Sequence, residues 1–95
     1  MAKADRRLSR TILSIRGLTQ LLQTFPESET LGEELYDALD NLLGDYSLGK
    51  IRDRYRIESA LESLENAAES RFQAVLTDKS KTILSAIFRV AMAGL

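Results

Sequence analysis

Apolar side chains recur every three or four residues along nearly the whole chain, a spacing that places them on one face of an α-helix. Leu8, Ile15 and Leu22 show it most clearly, since they repeat every seven residues. Breaks in the pattern predict four helices, at about residues 5–24, 30–44, 50–76 and 78–94. No segment alternates like a strand, so we expect an all-α protein, with residues 1–95 forming a single helical domain folded as an antiparallel four-helix bundle.

Local signals predict where the second helix begins and ends. Pro26 disfavours helical geometry at the preceding residue and should end the first helix. Thr30 followed by Glu33 has the pattern of a capping box, so the second helix should start there. Gly44 is expected to stop this helix and Ser47 to cap the third one.

Three residues of the first helix stand apart from its apolar stripe. Leu13 and Leu21 lie off the stripe and widen the apolar face beyond what contact with one other helix needs. Gly17 lies midway between them and lowers helix stability by about 1 kcal/mol relative to alanine at an exposed position. The alternative is that Gly17 marks a close helix crossing.

Histidine and cysteine are both absent from the chain. Without histidine the commonest general acid or base and the commonest transition-metal ligand are missing, so we expect no enzymatic activity, no cofactor and no metal. The absence of cysteine fits a reducing compartment. The arginines near the N-terminus do not fit a secretory signal, and the longest apolar stretch, Thr82 to Leu95, contains Arg89 and is too short to span a bilayer. We therefore expect a cytoplasmic protein that does not enter membranes.

Charge is segregated along the sequence although the total is only −1. Residues 1–25 contain five basic residues and one acidic residue, whereas residues 26–49 contain seven acidic residues and no basic one. This arrangement favours docking onto a basic partner or onto the arginines of the chain itself. A merely solvated acidic face is the alternative.

The last predicted helix is apolar almost all round, and Thr77 or Asp78 can cap it. Either the other three helices cover it, or a second copy does, and we expect a homodimer through this helix. The predicted function is that of a small regulatory or adaptor protein that binds another protein. Its predicted partner-binding residues form an apolar groove on the last helix and an acidic side on the second: Leu84, Ile87, Phe88 and Met92, with Tyr36, Asp37 and Asp40.

A nucleic-acid-associated regulator is the alternative function. It would use the basic residues of the N-terminus and of the third predicted helix: Arg6, Arg7, Arg10, Lys50, Arg52, Arg54 and Arg56. On a helix these residues spread over more than one face, and Asp53 and Glu58 lie among them. This alternative predicts a steep loss of affinity as the salt concentration rises.

Acidic residues on two helices suggest a further, enzymatic alternative. Glu58, Glu62, Glu65 and Glu69 run along one side of the third helix, where they could hold a divalent cation or form a solvated edge. The motifs Glu33-Glu34-x-x-Asp37 and Glu62-x-x-Glu65 resemble the paired acidic boxes of the all-α nucleotide pyrophosphohydrolases. The resemblance implies magnesium held between two helices and hydrolysis of nucleoside triphosphates. The family usually has Glu at the position of Asp37 and Asp at that of Glu65.

Overall fold

Four helices make up most of the computed structural model, which describes the backbone of residues 2–95 and the side chains from Leu8 onward. They are α1 (Ala2–Gln23), α2 (Glu29–Ser47), α3 (Arg54–Phe72) and α4 (Asp78–Ala93), and a short 3-10 helix at Pro26–Ser28 joins α1 to α2. Helix accounts for 83% of the chain, and no strand occurs in the part of the chain that the structure describes. The prediction of an all-α fold is confirmed.

The four helices pack around one core. α1 contacts α2 most extensively and α4 next, whereas α3 packs against α4 and only loosely against α2. α1 and α3 therefore lie at opposite corners. The predicted stripe of Leu8, Ile15 and Leu22 is buried. The other buried apolar residues are Leu31, Leu35, Leu39, Leu43, Ile57, Leu61, Ala68, Leu76, Leu84, Ile87, Phe88 and Ala91.

α1 and α2 approach each other closely at Gly32. A Cβ atom added there would lie 2.6 Å from Cγ of Gln23 and 2.8 Å from the carbonyl oxygen of Thr19. Around Gly17, by contrast, no atom of another helix among the described residues lies within 4 Å of such a Cβ. The suggestion that Gly17 marks a helix crossing within the chain is therefore wrong, because the crossing needs glycine on α2 instead.

The connection between α2 and α3 differs from the prediction. α2 continues through Gly44 to Ser47, and the chain turns at Gly49, whose φ of +76° lies in the left-handed region that favours glycine. α3 begins only at Arg54, after the N-cap residue Asp53, whose carboxylate accepts a hydrogen bond of 2.9 Å from the backbone N–H of Tyr55. The predicted stop at Gly44 and cap at Ser47 are therefore wrong, and α3 also ends at Phe72 instead of residue 76.

The two remaining predicted caps have opposite outcomes. α2 begins at Glu29 with Ser28 as its N-cap residue, so Thr30 lies inside the helix and the capping box does not form. Ser28 is fully buried, and its hydroxyl has no hydrogen-bond partner among the described residues. At the start of α4 the prediction is confirmed, since the Thr77 hydroxyl accepts a hydrogen bond of 3.2 Å from the backbone N–H of Ser80.

The apolar side of α4 is buried in the bundle, where α4 packs against α1 and α3. Leu84 and Ile87 are completely buried and Phe88 is only 3% exposed, while Met92 is half-buried. The predicted open groove along α4 is thus absent from this fold, because its residues fill the core of the chain. Among the described residues, no helix is both long enough and apolar enough to cross a membrane.

Candidate functional site

An open apolar groove lies between α2 and α3, where these two helices pack only loosely. Its volume is about 250 Å³. The floor is made by the buried side chains of Leu31, Leu35 and Ala68. Around this floor stand Glu34, Ala38, Leu64, Ala67, Arg71 and Phe72.

Alanine side chains explain why the groove exists. Ala38 on α2 and Ala67 and Ala68 on α3 all line the groove, and a methyl group is too short to fill the space between two helices. Leu64 and Phe72 stand at the sides and remain partly exposed. The groove can therefore accept an apolar side chain from outside without any change in the core.

An ion pair between α2 and α3 stands on the rim of the groove. Nη1 of Arg71 donates to Oε2 of Glu34 at 2.8 Å and Nη2 donates to Oε1 at 3.4 Å, and the guanidinium carbon lies 4.9 Å from the ring centre of Phe72. Both side chains are exposed, so the pair contributes at most about 1 kcal/mol to stability. Its two-point geometry orients Arg71 along the rim.

Acidic side chains lie on two sides of α2. Glu34 lines the groove, where it pairs with Arg71 of α3. On the outer face of α2, Glu33, Asp37 and Asp40 are exposed and form no ion pair with any side chain that the structure describes. Of these three, Glu33 and Asp37 line a second pocket together with side chains of α1, so this acidic face lies towards α1 and away from the groove.

The predicted acidic binding residues lie on this face of α2. Asp37 and Asp40 are exposed, whereas Tyr36 is half-buried against α1. Arg16 of α1 donates a hydrogen bond of 3.3 Å from Nη1 to the hydroxyl of Tyr36, and its guanidinium carbon lies 5.1 Å from the centre of the ring. Tyr36 thus joins α1 to α2, while the two aspartates remain available to a partner.

The residues predicted to bind nucleic acid are exposed where they are described, and the side chains of Arg6 and Arg7 lie outside the described residues. Arg54 donates to the Glu58 carboxylate at 2.9 Å, and Lys50 lies 3.9 Å from that of Asp45. Arg52 donates to a backbone carbonyl. The remaining members, Arg10 and Arg56, are also exposed.

The acidic row of α3 faces away from α2. Glu65 lies near Arg89 of α4, and its pKa is raised, first by partial burial and then by the neighbouring carboxylates of Glu69 and Glu62, against the lowering effect of Arg89. Within the described part of the chain, no three acidic side chains come close enough to hold a metal ion. Within the two acidic boxes, the carboxylate of Glu34 forms an ion pair with the guanidinium group of Arg71.

The sequence pattern did not indicate this groove. Its floor residues Leu31, Leu35 and Ala68 are at the same time part of the buried core. The signal that could have revealed the groove is the occurrence of alanine at facing positions, but which alanines face each other depends on how the helices pack. No known protein family matches the chain, and no curated protein or solved structure shows significant similarity to it.

Proposed function

We propose that the chain is a small, non-enzymatic regulatory or adaptor protein, an antiparallel four-helix bundle that acts by binding another protein. The observation that carries this proposal is the open apolar groove between α2 and α3, whose rim holds the charged side chains of Glu34 and Arg71. Apolar pockets flanked by charge are typical of surfaces that anchor one side chain of a partner and orient the rest.

The size of the groove favours a protein partner over a small molecule. Pockets that enclose small-molecule ligands usually have volumes of ~300–1,000 Å³, whereas this groove has about 250 Å³ and is open along one side. It suits one or two apolar side chains of an amphipathic helix, which is a common mode of recognition. Asp37 and Asp40, which are exposed elsewhere on α2, would contact basic residues in another part of the partner.

The proposed apolar contact surface lies between α2 and α3, whereas the sequence predicted an apolar contact surface on α4. Because Leu84, Ile87 and Phe88 are buried, their role in this proposal is to hold α3 and α1 in place. The acidic surface on α2 keeps the role that the sequence suggested for it. The absence of cysteine fits action in the cytoplasm, which we include in the proposal.

A synthetic amphipathic helix of leucine and lysine residues is a direct probe of the proposed groove. The variant Ala67→Phe fills the groove without a change in charge, so we expect it to weaken peptide binding at least about tenfold, or ~1.4 kcal/mol. The matched control is Asn66→Phe, which adds the same ring at the neighbouring exposed residue outside the groove and should bind like the unmodified protein. Equal affinities of these two variants would refute the groove as the binding site.

Charge substitutions test the rim of the same site. We expect Glu34→Gln to weaken binding of the lysine-containing peptide, because it neutralises a carboxylate that lines the groove. Glu33→Gln removes the same charge from the neighbouring exposed residue, which lies outside the groove, and should have a smaller effect. If both variants weaken binding equally, the attraction depends only on net charge.

The nucleic-acid alternative has one observation in its favour. Lys50, Arg52, Arg54 and Arg56 are all exposed around Tyr55, whose side chain is 73% exposed and could stack on a base. This function predicts that a labelled single-stranded oligonucleotide binds at low salt and dissociates steeply as salt rises. Peptide binding through the groove predicts a shallow salt dependence.

A further inference from the structure

The outer face of α1 exposes two leucines that no other element covers. Leu13 is 68% exposed and Leu21 is 48% exposed. Gly17 lies four residues from each of them, so the three residues form one stripe along the helix. In the part of the chain that the structure describes, no atom of another element lies within 4 Å of a Cβ placed at Gly17, so the space above Gly17 is open.

This face is also poor in charge. Between Arg10 and Glu27 the exposed residues include a single charged one, Arg16, and that side chain is held against Tyr36 of α2. The uncharged exposed residues of this stretch are Leu13, Ser14, Gly17, Gln20, Leu21, Thr24 and Pro26. Depletion of charge at the centre of an exposed surface, together with exposed large apolar residues, is characteristic of a protein interface.

From these observations we infer that α1 pairs with α1 of a second copy of the chain, with the two helices antiparallel and crossing at Gly17. Two-fold symmetry then requires that residues equally distant from Gly17 on opposite sides come level with each other. Leu13 of one protomer therefore packs beside Leu21 of the partner subunit, and the reverse contact forms as well. Glycine at the centre permits the close approach that a side chain would prevent.

Charge complementarity selects the second copy and its direction. In the antiparallel arrangement Arg10 comes level with Thr24 of the partner subunit, just before the acidic run that begins at Glu27. A parallel arrangement would place Arg10 beside the same arginine of the partner subunit. In the antiparallel pair the basic first segment of one chain therefore runs towards the start of the acidic segment of the other, whereas a parallel pair aligns like charges.

The extent of the stripe sets the expected strength of the pairing. Leu13 and Leu21 are eight residues apart, or about 12 Å along a helix, so the contact is small and resembles that of transient complexes. We therefore expect a reversible dimer whose fraction rises with concentration. The groove between α2 and α3 remains uncovered, since α3 lies at the corner opposite α1, and the self-pairing does not depend on the proposed function.

Analytical ultracentrifugation over a wide concentration range tests the pairing. We expect Gly17→Gln to weaken dimerisation at least about tenfold, because the added side chain separates the two helices at their crossing. The matched control is Gly44→Gln, since Gly44 is also helical and has no atom within 4 Å of an added Cβ, but lies on α2. A chain that is monomeric at all concentrations, or that dimerises equally in both variants, overturns the inference.

Engineered cysteines test the relative direction of the two α1 helices. Since the chain has no cysteine of its own, the introduced residues are the only thiols that can form a disulfide. On oxidation, a mixture of Leu13→Cys and Leu21→Cys should form mainly the mixed disulfide, since these positions are level in the antiparallel pair. Each variant alone should cross-link poorly. Efficient cross-linking of Leu13→Cys with itself would overturn the antiparallel arrangement.

Discussion

Replacing Gly32 with alanine should destabilise the protein, although alanine is the better helix former. Gly32 lies in α2 and packs closely against α1, so a new Cβ would meet Cγ of Gln23 at 2.6 Å and the carbonyl oxygen of Thr19 at 2.8 Å. The flexible side chain of Gln23 can turn aside. The carbonyl oxygen is part of the α1 backbone, so the contact is relieved only when the two helices move apart.

Two opposing terms determine the size of this effect. Exchange of glycine for alanine inside a helix stabilises it by about 1 kcal/mol. Forcing an additional methyl group into a packed site typically costs about 1–3 kcal/mol, and the upper part of that range applies because Thr19 and Leu22 beside the contact are almost fully buried. We therefore expect a net loss of about 1–2 kcal/mol.

Urea denaturation followed by circular dichroism measures this loss, and Gly44→Ala provides the reference. Both glycines lie in α2, but an added Cβ at Gly44 has no atom within 4 Å, so that variant should gain about 1 kcal/mol from helix propensity. The expected gap of about 2–3 kcal/mol is large compared with the error of the extrapolation. If Gly32→Ala is as stable as Gly44→Ala, the close crossing of α1 and α2 does not exist as described.

Three further predictions concern two helix N-caps and one carboxylate. Thr77→Ala should lower the free energy of unfolding by about 1 kcal/mol, because the hydrogen bond that caps α4 is lost. Ser28→Ala should leave the melting temperature unchanged or raise it, because it removes a buried hydroxyl that has no partner among the described residues. A loss of stability equal to that of Thr77→Ala would contradict this second prediction. Because the pKa of Glu65 is raised in the folded protein, its protonated form favours the folded state and its ionisation opposes folding. The contribution of the protonated carboxyl to stability is therefore complete at low pH and is lost as pH rises through the folded-state pKa. Glu65→Gln should therefore melt at a higher temperature than the unmodified protein at pH 7, and this advantage should disappear below about pH 4. The control Glu33→Gln, at an exposed residue of α2, should lack such a pH-dependent gain.

Local sequence patterns predicted the fold class but not all of the helix ends. The heptad of Leu8, Ile15 and Leu22 is buried as expected, and the cap at Thr77 forms, since both depend on residues a few positions apart. Gly44 looked like a helix stop, yet α2 passes through it, because burial of Leu43 and partial burial of Tyr46 favour continuation of the helix over the weak preference of glycine to end it.

The candidate site was predictable only in part for the same reason. The acidic face of α2 follows from the spacing of its charges within one helix, so Asp37 and Asp40 are exposed as the sequence suggested. The apolar part was assigned to α4, because an almost wholly apolar helix can lie in a core or in an interface, and its own sequence does not distinguish the two. Because Phe88 is buried against other helices, the apolar face of α4 belongs to the core.

The sequence by itself determined the number of helices, the face that each turns inward and the separation of basic from acidic segments. These properties depend on residues within a few turns of one another, where the geometry of the helix relates spacing directly to position. Only the tertiary packing decided that a groove lined by three alanines remains between α2 and α3, and that Leu13 and Leu21 remain exposed. It also decided that a neighbouring helix packs closely against Gly32 and not against Gly17. Such features arise from distances between segments far apart in the chain, and a periodic pattern within one helix contains no information about them.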